Sequence, residues 1–395
     1  MGLRMPLLLL LVAAAIVYMG SAVFNEKSMR QFYGTHQLPG GIDFDISEPF
    51  DMHTPKTNKA LPRNRTMVPF EKQDGIVIAT KIHGPHQLIL LRQSLCLLHF
   101  AYNRRPLYDI IVFTTLSVPD EDIASVRALV HPARLTFVID NRGLQEEIAA
   151  LSKPRYDALL KACGVESPVN LTWWSNCPGR IAYNWQAEFR AWHIWRHPSL
   201  ANYSYMMWVD SDAFCTEVWT VDPIQAVIEN NLVILFDNWP MGSPRGPDVD
   251  ERIYKAFGRY LCDMNLDRGH LMTNVSNTTC QGSPRLGDIH GFFRITNLDF
   301  YRSDLVQKWA ETWIGDGFLQ RLYDDQAGVT IPAAILAPDR AWDMRQNKIR
   351  LNVYHNSDLD GKSEEPVGGF KKYWRTTVIN QFPDAAGICP IEAAG

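Results

Sequence analysis

Short apolar segments typical of β-strands alternate with longer helical segments from residue 75 onward. Strands are predicted at residues 75–80, 109–115, 134–140, 205–209, 233–239 and 291–297. Helices are predicted at residues 86–103, 121–130, 144–163 and 181–196. Alternation at this spacing predicts an α/β fold, a mostly parallel sheet flanked by helices. No GxGxxG or GxxxxGK[ST] motif follows a strand, which disfavours dinucleotide-dependent oxidoreductases and P-loop enzymes.

Two carboxylates end the uncharged segment YMMWV, because Asp210 and Asp212 follow Val209 closely. Ligands of open α/β sheets bind where the strands emerge at their carboxyl ends. A turn at that point allows both side chains to face one ligand, and paired carboxylate oxygens suit Mg²⁺ or Mn²⁺ chelated by a diphosphate. Asp-x-Asp pairs also occur in surface turns and helix caps. The buried strand in front of the pair therefore favours a metal site here.

The amino-terminal segment has the composition of a membrane anchor. Residues 6–24 carry no charge and approach the ~20 residues that span a bilayer. A cleaved signal peptide is the alternative, since Gly20, Ser21 and Ala22 offer small residues at cleavage spacing. We predict a short cytosolic tail and an uncleaved anchor at residues 1–24. After the anchor we predict a stem at residues 25–72, which contains several prolines, and then a single folded domain at residues 73–395.

Either interpretation places the bulk of the chain in the secretory lumen. Sequons of the form N-x-[ST] without proline agree with that compartment and begin at Asn64, Asn170, Asn202, Asn274 and Asn277. The 7 cysteines lack zinc-ligand spacing. In an oxidising lumen some could pair, with Cys262 and Cys280 as our candidate pair and at least one thiol left free. The net charge of −4, without a Lys/Arg block, argues against nucleic-acid binding.

A series of ordered motifs extends from about residue 75 to residue 360. The central motifs are Tyr183-Asn184, Phe189, Arg196-His197-Pro198, Asn202-Tyr203, Trp208-Val209 and Asp222-Pro223. Further along are FRITNLDFYRS at residues 293–303, Asp325, and Tyr354-His355. Together these motifs resemble the fungal Golgi α-1,2-mannosyltransferase family, with its "FEI…DLDFWRS" and "GDAPVH" segments.

The resemblance implies a type II membrane protein of the Golgi or endoplasmic reticulum, with a GT-A-like domain in the lumen. It implies GDP-mannose as donor and Mn²⁺ as cofactor, with Mg²⁺ as the alternative ion. Four positions depart from the family's motifs, and two of them are Glu188, in place of the Arg of "CRF", and Val329, in place of the His of "GDAPVH". The other two lie at the metal motif and at the catalytic carboxylate. Asp210-Ser211-Asp212 stands where the family has Glu-Pro-x, and Arg294 stands where it has the Glu of "FEI". Both the donor and the catalytic carboxylate are therefore left open.

The candidate metal ligands are Asp210, Asp212 and His355. An imidazole suits Mn²⁺, and His355 falls on the family's Tyr-His pair. For binding of the donor, Asp210 is joined by Tyr183, which the resemblance implies, and by His290.

The candidate catalytic residues are Asp288, Asp325 and Arg294. Asp288 and His290 lie in GDIHGFF, where flanking glycines would allow close approach of a sugar, although a plain turn is the alternative. Asp325 falls on the Asp of "GDAPVH" and could position the donor sugar or accept a proton from the acceptor. Arg294 could stabilise the charge of the departing diphosphate.

These expectations combine into a retaining, metal-dependent glycosyltransferase. It would move a hexose, with mannose from GDP-mannose favoured, to a glycan or glycoprotein acceptor. One alternative keeps the GT-A fold but uses UDP-galactose or UDP-xylose, which the full Asp-x-Asp motif favours. The other is a catalytically silent GT-A domain that binds glycans, which the arginine at position 294 favours. The expected partners are a nucleotide sugar, a glycan acceptor and the membrane.

Overall fold

The structure is a computed structural model that describes most of the chain from residue 70 to residue 355. The described residues are 70–140, 142, 152–154, 157, 185–237, 258–260, 262–264, 272–276, 281–284, 291–314, 325–344, 347–355, 382 and 388–389. The predicted anchor and nearly all of the predicted stem lie outside these ranges. Within them, no helix combines the length and the apolar character needed to cross a membrane.

A seven-stranded sheet with the order β10-β6-β9-β4-β1-β2-β3 forms the centre of the described fold. Its strands in chain order are β1 (Ile76–Ile82), β2 (Asp109–Thr114), β3 (Leu135–Ile139), β4 (Tyr205–Val209), β6 (Ile234–Phe236), β9 (Phe293–Asn297) and β10 (Ala341–Asp343). Two smaller pairs are β5 (Ala213–Cys215) with β11 (Val353–His355), and β7 (Met272–Ser276) with β8 (Gln281–Pro284).

The central sheet is mostly parallel, as the sequence predicts. β1 pairs in parallel with β2 and β4, β2 with β3, and β6 with β10. β9 runs antiparallel to both β4 and β6. The carboxyl ends of β1, β4, β6 and β10 therefore meet at one edge, which we call the carboxyl edge. This is the edge at which α/β sheets bind ligands.

Helices cover the sheet on both faces. They are α1 (Leu88–Leu98), α2 (Asp120–Val130), α3 (Pro223–Glu229), α4 (Leu298–Arg302), α5 (Asp304–Ile314) and α6 (Gln326–Leu336). Among the described residues, π-helical turns occur at His99–Asn103, directly after α1, and at Phe189–His193. The predicted helix at residues 86–103 thus divides into α1 and a π-helical turn. Most of the predicted helix at residues 144–163 lies outside the described residues.

Alternate residues of the central strands face two separate apolar clusters. The first cluster, covered by α1, α2 and α3, includes Ile78, Val112, Met207, Leu235 and Ile295. The second, covered by α4, α5 and α6, includes Val77, Phe113, Met206, Trp208 and Phe236. All residues of β1 are buried, as expected for a parallel strand with helices on both faces. These findings confirm the predicted α/β class, with a mostly parallel sheet flanked by helices.

Two residues of the sequence motifs form hydrogen bonds with backbone groups. Asp222 caps the amino end of α3, where its carboxylate accepts hydrogen bonds from the backbone N–H of Ile224 and of Gln225. Arg302 donates hydrogen bonds to three backbone carbonyls, those of Trp195, Leu200 and Tyr203. The motifs around residues 196–203 and 293–303 are therefore joined in space by one guanidinium group.

A disulfide joins Cys96 of α1 to Cys389 near the end of the chain. Nothing in the sequence pointed to this pair, which is 293 residues apart. Cys262 is also disulfide-bonded, but its predicted partner Cys280 lies outside the described residues. Cys215 in β5 is a buried free thiol, in line with the unpaired cysteine that the odd count predicts. Burial raises the pKa of this thiol well above its usual range.

Candidate metal centre

The two carboxylates of the Asp-x-Asp motif lie in a tight turn between β4 and β5. Asp210 follows the last residue of β4, and its backbone oxygen accepts a hydrogen bond from Ala213 N at 3.0 Å. This turn brings a carboxylate oxygen of Asp210 and one of Asp212 within 4.8 Å of each other. β11 then pairs antiparallel with β5, with His355 opposite Ala213. The pairing brings a residue from far along the chain beside Asp212.

Asp210, Asp212 and His355 converge at the carboxyl edge of the sheet. One ligand atom from each residue lies within 4.8 Å of the others. The Nε2 atom of His355 is 3.3 Å from Oδ2 of Asp212. Each of the three side chains is partly exposed, so an ion could enter from solvent. Two carboxylates and an imidazole are a donor set suited to Mn²⁺, so the group could hold a divalent cation.

Asp210 is oriented by donors from two neighbouring elements. Its Oδ1 atom accepts hydrogen bonds from Nε1 of Trp208 at 2.6 Å and from NH1 of Arg190 at 3.1 Å. Its backbone N–H donates to the carbonyl of Phe292 at 2.8 Å. Burial raises the pKa of Asp210, and the positive charge of Arg190 opposes that rise. Supporting contacts of this kind fix the direction in which a ligating carboxylate points.

Arg190 links Asp210 to a second acid, Asp325. The NH2 atom of Arg190 lies 2.9 Å from Oδ1 of Asp325. Arg190 belongs to the π-helical turn at Phe189–His193, and such turns are frequent at functional sites. Arg190 is not among the site residues that the sequence predicted. Arg190 is buried like its neighbours Phe189 and Ala191, and a charged residue between two apolar ones was the only local signal.

Arg294 completes a buried chain of alternating charges. Its NH1 atom lies 3.1 Å from Oδ2 of Asp325 and donates to the carbonyl of Gly291 at 3.0 Å. Burial lowers the pKa of Arg294, while the charge of Asp325 raises it. The Nε and NH2 atoms of Arg294 are buried and have no hydrogen-bond partner among the described residues. Its guanidinium carbon lies 5.4 Å from the ring centroid of Trp208, the residue opposite it in β4.

The remaining candidate site residues cannot be placed. Tyr183, Asp288 and His290 lie outside the described residues, so their assignment stays a prediction. The structure does place Asp210, Asp212 and His355 together, and it puts Asp325 and Arg294 next to them through Arg190.

A second charged cluster, which the sequence did not reveal, lies at the carboxyl ends of β1 and β3. Nζ of Lys81 is 2.9 Å from Oδ2 of Asp140, and neither side chain is more than 2% exposed. Arg142 donates to both oxygens of Asp140 and lies 3.7 Å from Glu188. Burial lowers the pKa of Lys81 to about 8 despite the charge of Asp140. The cluster ties β1 and β3 to the helical segment that carries Arg190.

No protein-family model matches the sequence, and no curated protein is similar enough to it in sequence to count as a relative. Solved structures with a similar fold do exist. The core-mannan synthase A (CmsA/Ktr4) of Aspergillus fumigatus, in its Mn/GDP form, has a TM-score of 0.57 at 14% identity. That match covers 72% of this chain and 75% of the other.

The mannosyltransferase Ktr4p of S. cerevisiae in complex with GDP has a TM-score of 0.58 at 15% identity, covering 74% of this chain and 75% of its own. Another structure of Ktr4p covers 80% of this chain and 86% of its own, with a TM-score of 0.57 at 15% identity. A likeness at such low identity shows the fold. The chain therefore has the GT-A fold of these fungal mannosyltransferases, and at the level of fold the resemblance read from its motifs is confirmed.

Proposed function

We propose that the chain is a metal-dependent retaining glycosyltransferase that moves a hexose from a nucleotide sugar to a glycan or glycoprotein acceptor. The observation that carries the proposal is the convergence of Asp210, Asp212 and His355 at the carboxyl edge of a GT-A sheet. A divalent cation held there would neutralise charge on the diphosphate of the donor. Mn²⁺ is the favoured ion, with Mg²⁺ as the alternative.

Mannose from GDP-mannose is the proposed donor. The similar structures support this choice, because one is described in a Mn/GDP form and another in complex with GDP. The motifs shared with the mannosyltransferase family point the same way. The complete Asp-x-Asp motif favours a UDP-sugar as the second candidate, since here Asp210 and Asp212 both contribute to the possible metal group.

The arrangement of charges favours front-side transfer without a covalent glycosyl-enzyme. A double displacement needs a free carboxylate next to the anomeric carbon. Arg294 cannot act as that nucleophile, and each oxygen of Asp325 is paired with an arginine. Asp288, the other candidate nucleophile, lies outside the described residues. Front-side attack instead needs stabilisation of charge on the departing diphosphate. Arg190 would supply positive charge next to the metal group, since its NH1 atom lies 3.1 Å from Oδ1 of Asp210. Arg294, which is paired with Asp325, would act at longer range.

We further propose that the domain works in the lumen of the Golgi or endoplasmic reticulum, behind the amino-terminal anchor. The Cys96–Cys389 disulfide supports an oxidising compartment, as do the sequons.

Hydrolysis of nucleotide sugars by the purified chain tests the proposal. GDP-mannose, UDP-galactose and UDP-xylose are compared with Mn²⁺ present and with Mn²⁺ chelated. We expect Mn²⁺-dependent hydrolysis of GDP-mannose. When an acceptor is added, NMR of the product should show the same anomeric configuration as the donor sugar has. Hydrolysis of a UDP-sugar alone would favour the second donor. Hydrolysis of no donor, together with no thermal shift by any nucleotide, would contradict the transferase and favour the catalytically silent domain.

A further inference from the structure

The helical segment at residues 185–193 lies between two charged clusters. On one side its Arg190 pairs with Asp210 of the candidate metal centre. On the other side is the buried ion pair of Lys81 and Asp140, at the carboxyl ends of β1 and β3. The segment therefore connects the metal centre with an ion pair that contains no candidate metal ligand.

Arg142 joins that ion pair to the segment, and we call Lys81, Asp140 and Arg142 together the Lys81 cluster. Arg142 donates to both oxygens of Asp140 and to the backbone carbonyl of Trp185 at 2.8 Å. Its guanidinium carbon lies 4.0 Å from the ring centroid of Trp185, and its NH1 atom is 3.7 Å from Oε1 of Glu188. The side chain of Arg142 is only 14% exposed. One guanidinium thus contacts the sheet, the backbone of the segment and two of its side chains.

The segment meets the Lys81 cluster with one helical face. Trp185 and Glu188 are three positions apart, and Trp185 and Phe189 are four apart, so these side chains share a face. The ring centroid of Phe189 lies 4.4 Å from Nζ of Lys81. Arg190 is two positions beyond Glu188, and side chains at that spacing do not face each other. The cluster therefore holds one face of the helix while Arg190 extends from another.

Arg190 links the position of the segment to the metal carboxylate. Its NH1 atom is 3.1 Å from Oδ1 of Asp210, and its NH2 atom is 2.9 Å from Oδ1 of Asp325. Arg190 is itself buried, so a movement of the helix would shift a charge against two carboxylates in a medium of low dielectric constant. Loss of the contacts that orient a ligand typically lowers metal affinity about 10- to 100-fold.

We propose that Arg142 is a positioning residue for the metal centre, and that it holds residues 185–193 so that Arg190 orients Asp210. The effect on metal binding rests on the proposed function, because the cation belongs to that proposal. The contact of Arg142 with the segment does not, since it exists in the chain without an ion.

Two variants of the full chain remove this contact to different extents. Arg142→Met removes the charge and the hydrogen bonds. Arg142→Lys keeps a positive charge for Asp140 but loses the planar fork that reaches the segment. Arg105→Met is the matched control, because Arg105 donates to two backbone carbonyls at 2.8 and 2.9 Å and lies 3.8 Å from the ring centroid of Phe70. Arg105 precedes the amino end of β2, at the edge of the sheet opposite the metal centre.

The first measurement is hydrogen exchange of the metal-free chain, followed by mass spectrometry, with circular dichroism as the check of folding. We expect the amides of residues 185–193 to exchange about threefold faster in Arg142→Met, because the segment opens more readily without its contact to the sheet. Arg142→Lys should show a smaller increase, and it supplies the comparison if Arg142→Met does not fold. Unchanged exchange in the Arg142 variants, or the same increase in Arg105→Met, would overturn the proposal.

The second measurement is Mn²⁺ affinity by calorimetry, arranged as a double-mutant cycle. We expect a loss of about tenfold for Arg190→Met and of about threefold for Arg142→Met, which acts through one further contact. The double variant should lose no more than Arg190→Met alone, because Arg142 acts through Arg190. Arg105→Met should keep the wild-type affinity.

The possible failures of the two proposals differ. Wild-type Mn²⁺ affinity in Arg142→Met would overturn the positioning role of Arg142. So would a double variant that loses the product of the two single effects, about thirtyfold, because Arg142 would then act independently of Arg190. A wild-type chain that binds no Mn²⁺ would instead overturn the proposed metal centre, and the hydrogen exchange of residues 185–193 would still show whether Arg142 holds the segment.

Discussion

Arg294 and Asp325 form an ion pair closed to solvent, with NH1 3.1 Å from Oδ2 and side chains that are 0% and 2% exposed. Arg190 pairs with the other oxygen of the same carboxylate. Removing one partner of a buried pair leaves an uncompensated charge in a medium of low dielectric constant. Asp325 therefore requires a positively charged residue at position 294. The glutamate that the fungal mannosyltransferase family has at this position would not fit here without other changes.

Arg294→Glu tests that dependence. The new carboxylate would face Asp325, with Asp210 close by, so we expect the free energy of unfolding to fall by about 3–5 kcal/mol. Mn²⁺-dependent donor hydrolysis should fall as well. Urea unfolding followed by tryptophan fluorescence measures the loss of stability.

Arg294→Met is the matched control, because it removes the positive charge without adding a negative one. We expect it to be less destabilising than Arg294→Glu. Equal stability of Arg294→Glu and wild type would show that the ion pair does not constrain position 294.

Asp212→Asn should weaken metal binding and leave the fold intact. Asp212 is partly exposed and lies 3.3 Å from Nε2 of His355, so the substitution removes a ligand charge with little effect on packing. We expect Mn²⁺ affinity measured by calorimetry to fall by at least about tenfold. The melting temperature of the metal-free chain should stay close to the wild-type value.

Asp339→Asn is the control for that measurement, since Asp339 is exposed and precedes β10 at the opposite edge of the sheet. An equal loss of Mn²⁺ affinity in both variants would contradict the assignment of Asp212 as a ligand.

Protonation of Asp140 should lower the free energy of unfolding at acidic pH. Burial alone would raise its pKa, but hydrogen bonds from Arg142 and the charge of Lys81 hold the pKa at about 2. Because the pKa is lower in the folded state, the stabilisation is present above the ordinary value of 3.8 and is lost as pH falls toward 2. This shift corresponds to about 2 kcal/mol.

Asp140→Asn removes that titration. It should be less stable than wild type at neutral pH, because Lys81 and Arg142 lose their anionic partner. Between pH 5 and pH 2 its free energy of unfolding should fall by about 2 kcal/mol less than that of wild type. Parallel pH profiles of the two proteins would rule out the low pKa.

Phe70 should stabilise the domain although it falls within the predicted stem. Its ring centroid lies 5.6 Å from that of Tyr102 and 3.8 Å from the guanidinium carbon of Arg105. We expect Phe70→Ala to lower the free energy of unfolding by about 1–3 kcal/mol. A chain that begins at residue 73 should lose a similar amount relative to one that begins at residue 67. No difference between these two chains would place the start of the fold after Phe70.

Local patterns predicted the fold class and the first two members of the metal group. The buried strand YMMWV, followed by Asp210 and Asp212, could be predicted from local sequence, because a short run of apolar residues indicates a buried strand. The end of β6 was predicted less well. The strand is predicted at residues 233–239 but ends at Phe236, because pairing with β9 and β10 stops there and Asp237 follows.

The sequence by itself thus determined the α/β architecture and the acidic turn at the carboxyl edge, since both depend on neighbours along the chain. Only the tertiary structure decided which cations face Asp325 and that Cys96 pairs with Cys389. These features join segments that are far apart in the chain, and their geometry depends on how whole elements pack. The sequence of a helix does not show whether an arginine in it is exposed to solvent or paired with a buried carboxylate. The packing of the helix against other elements decides this.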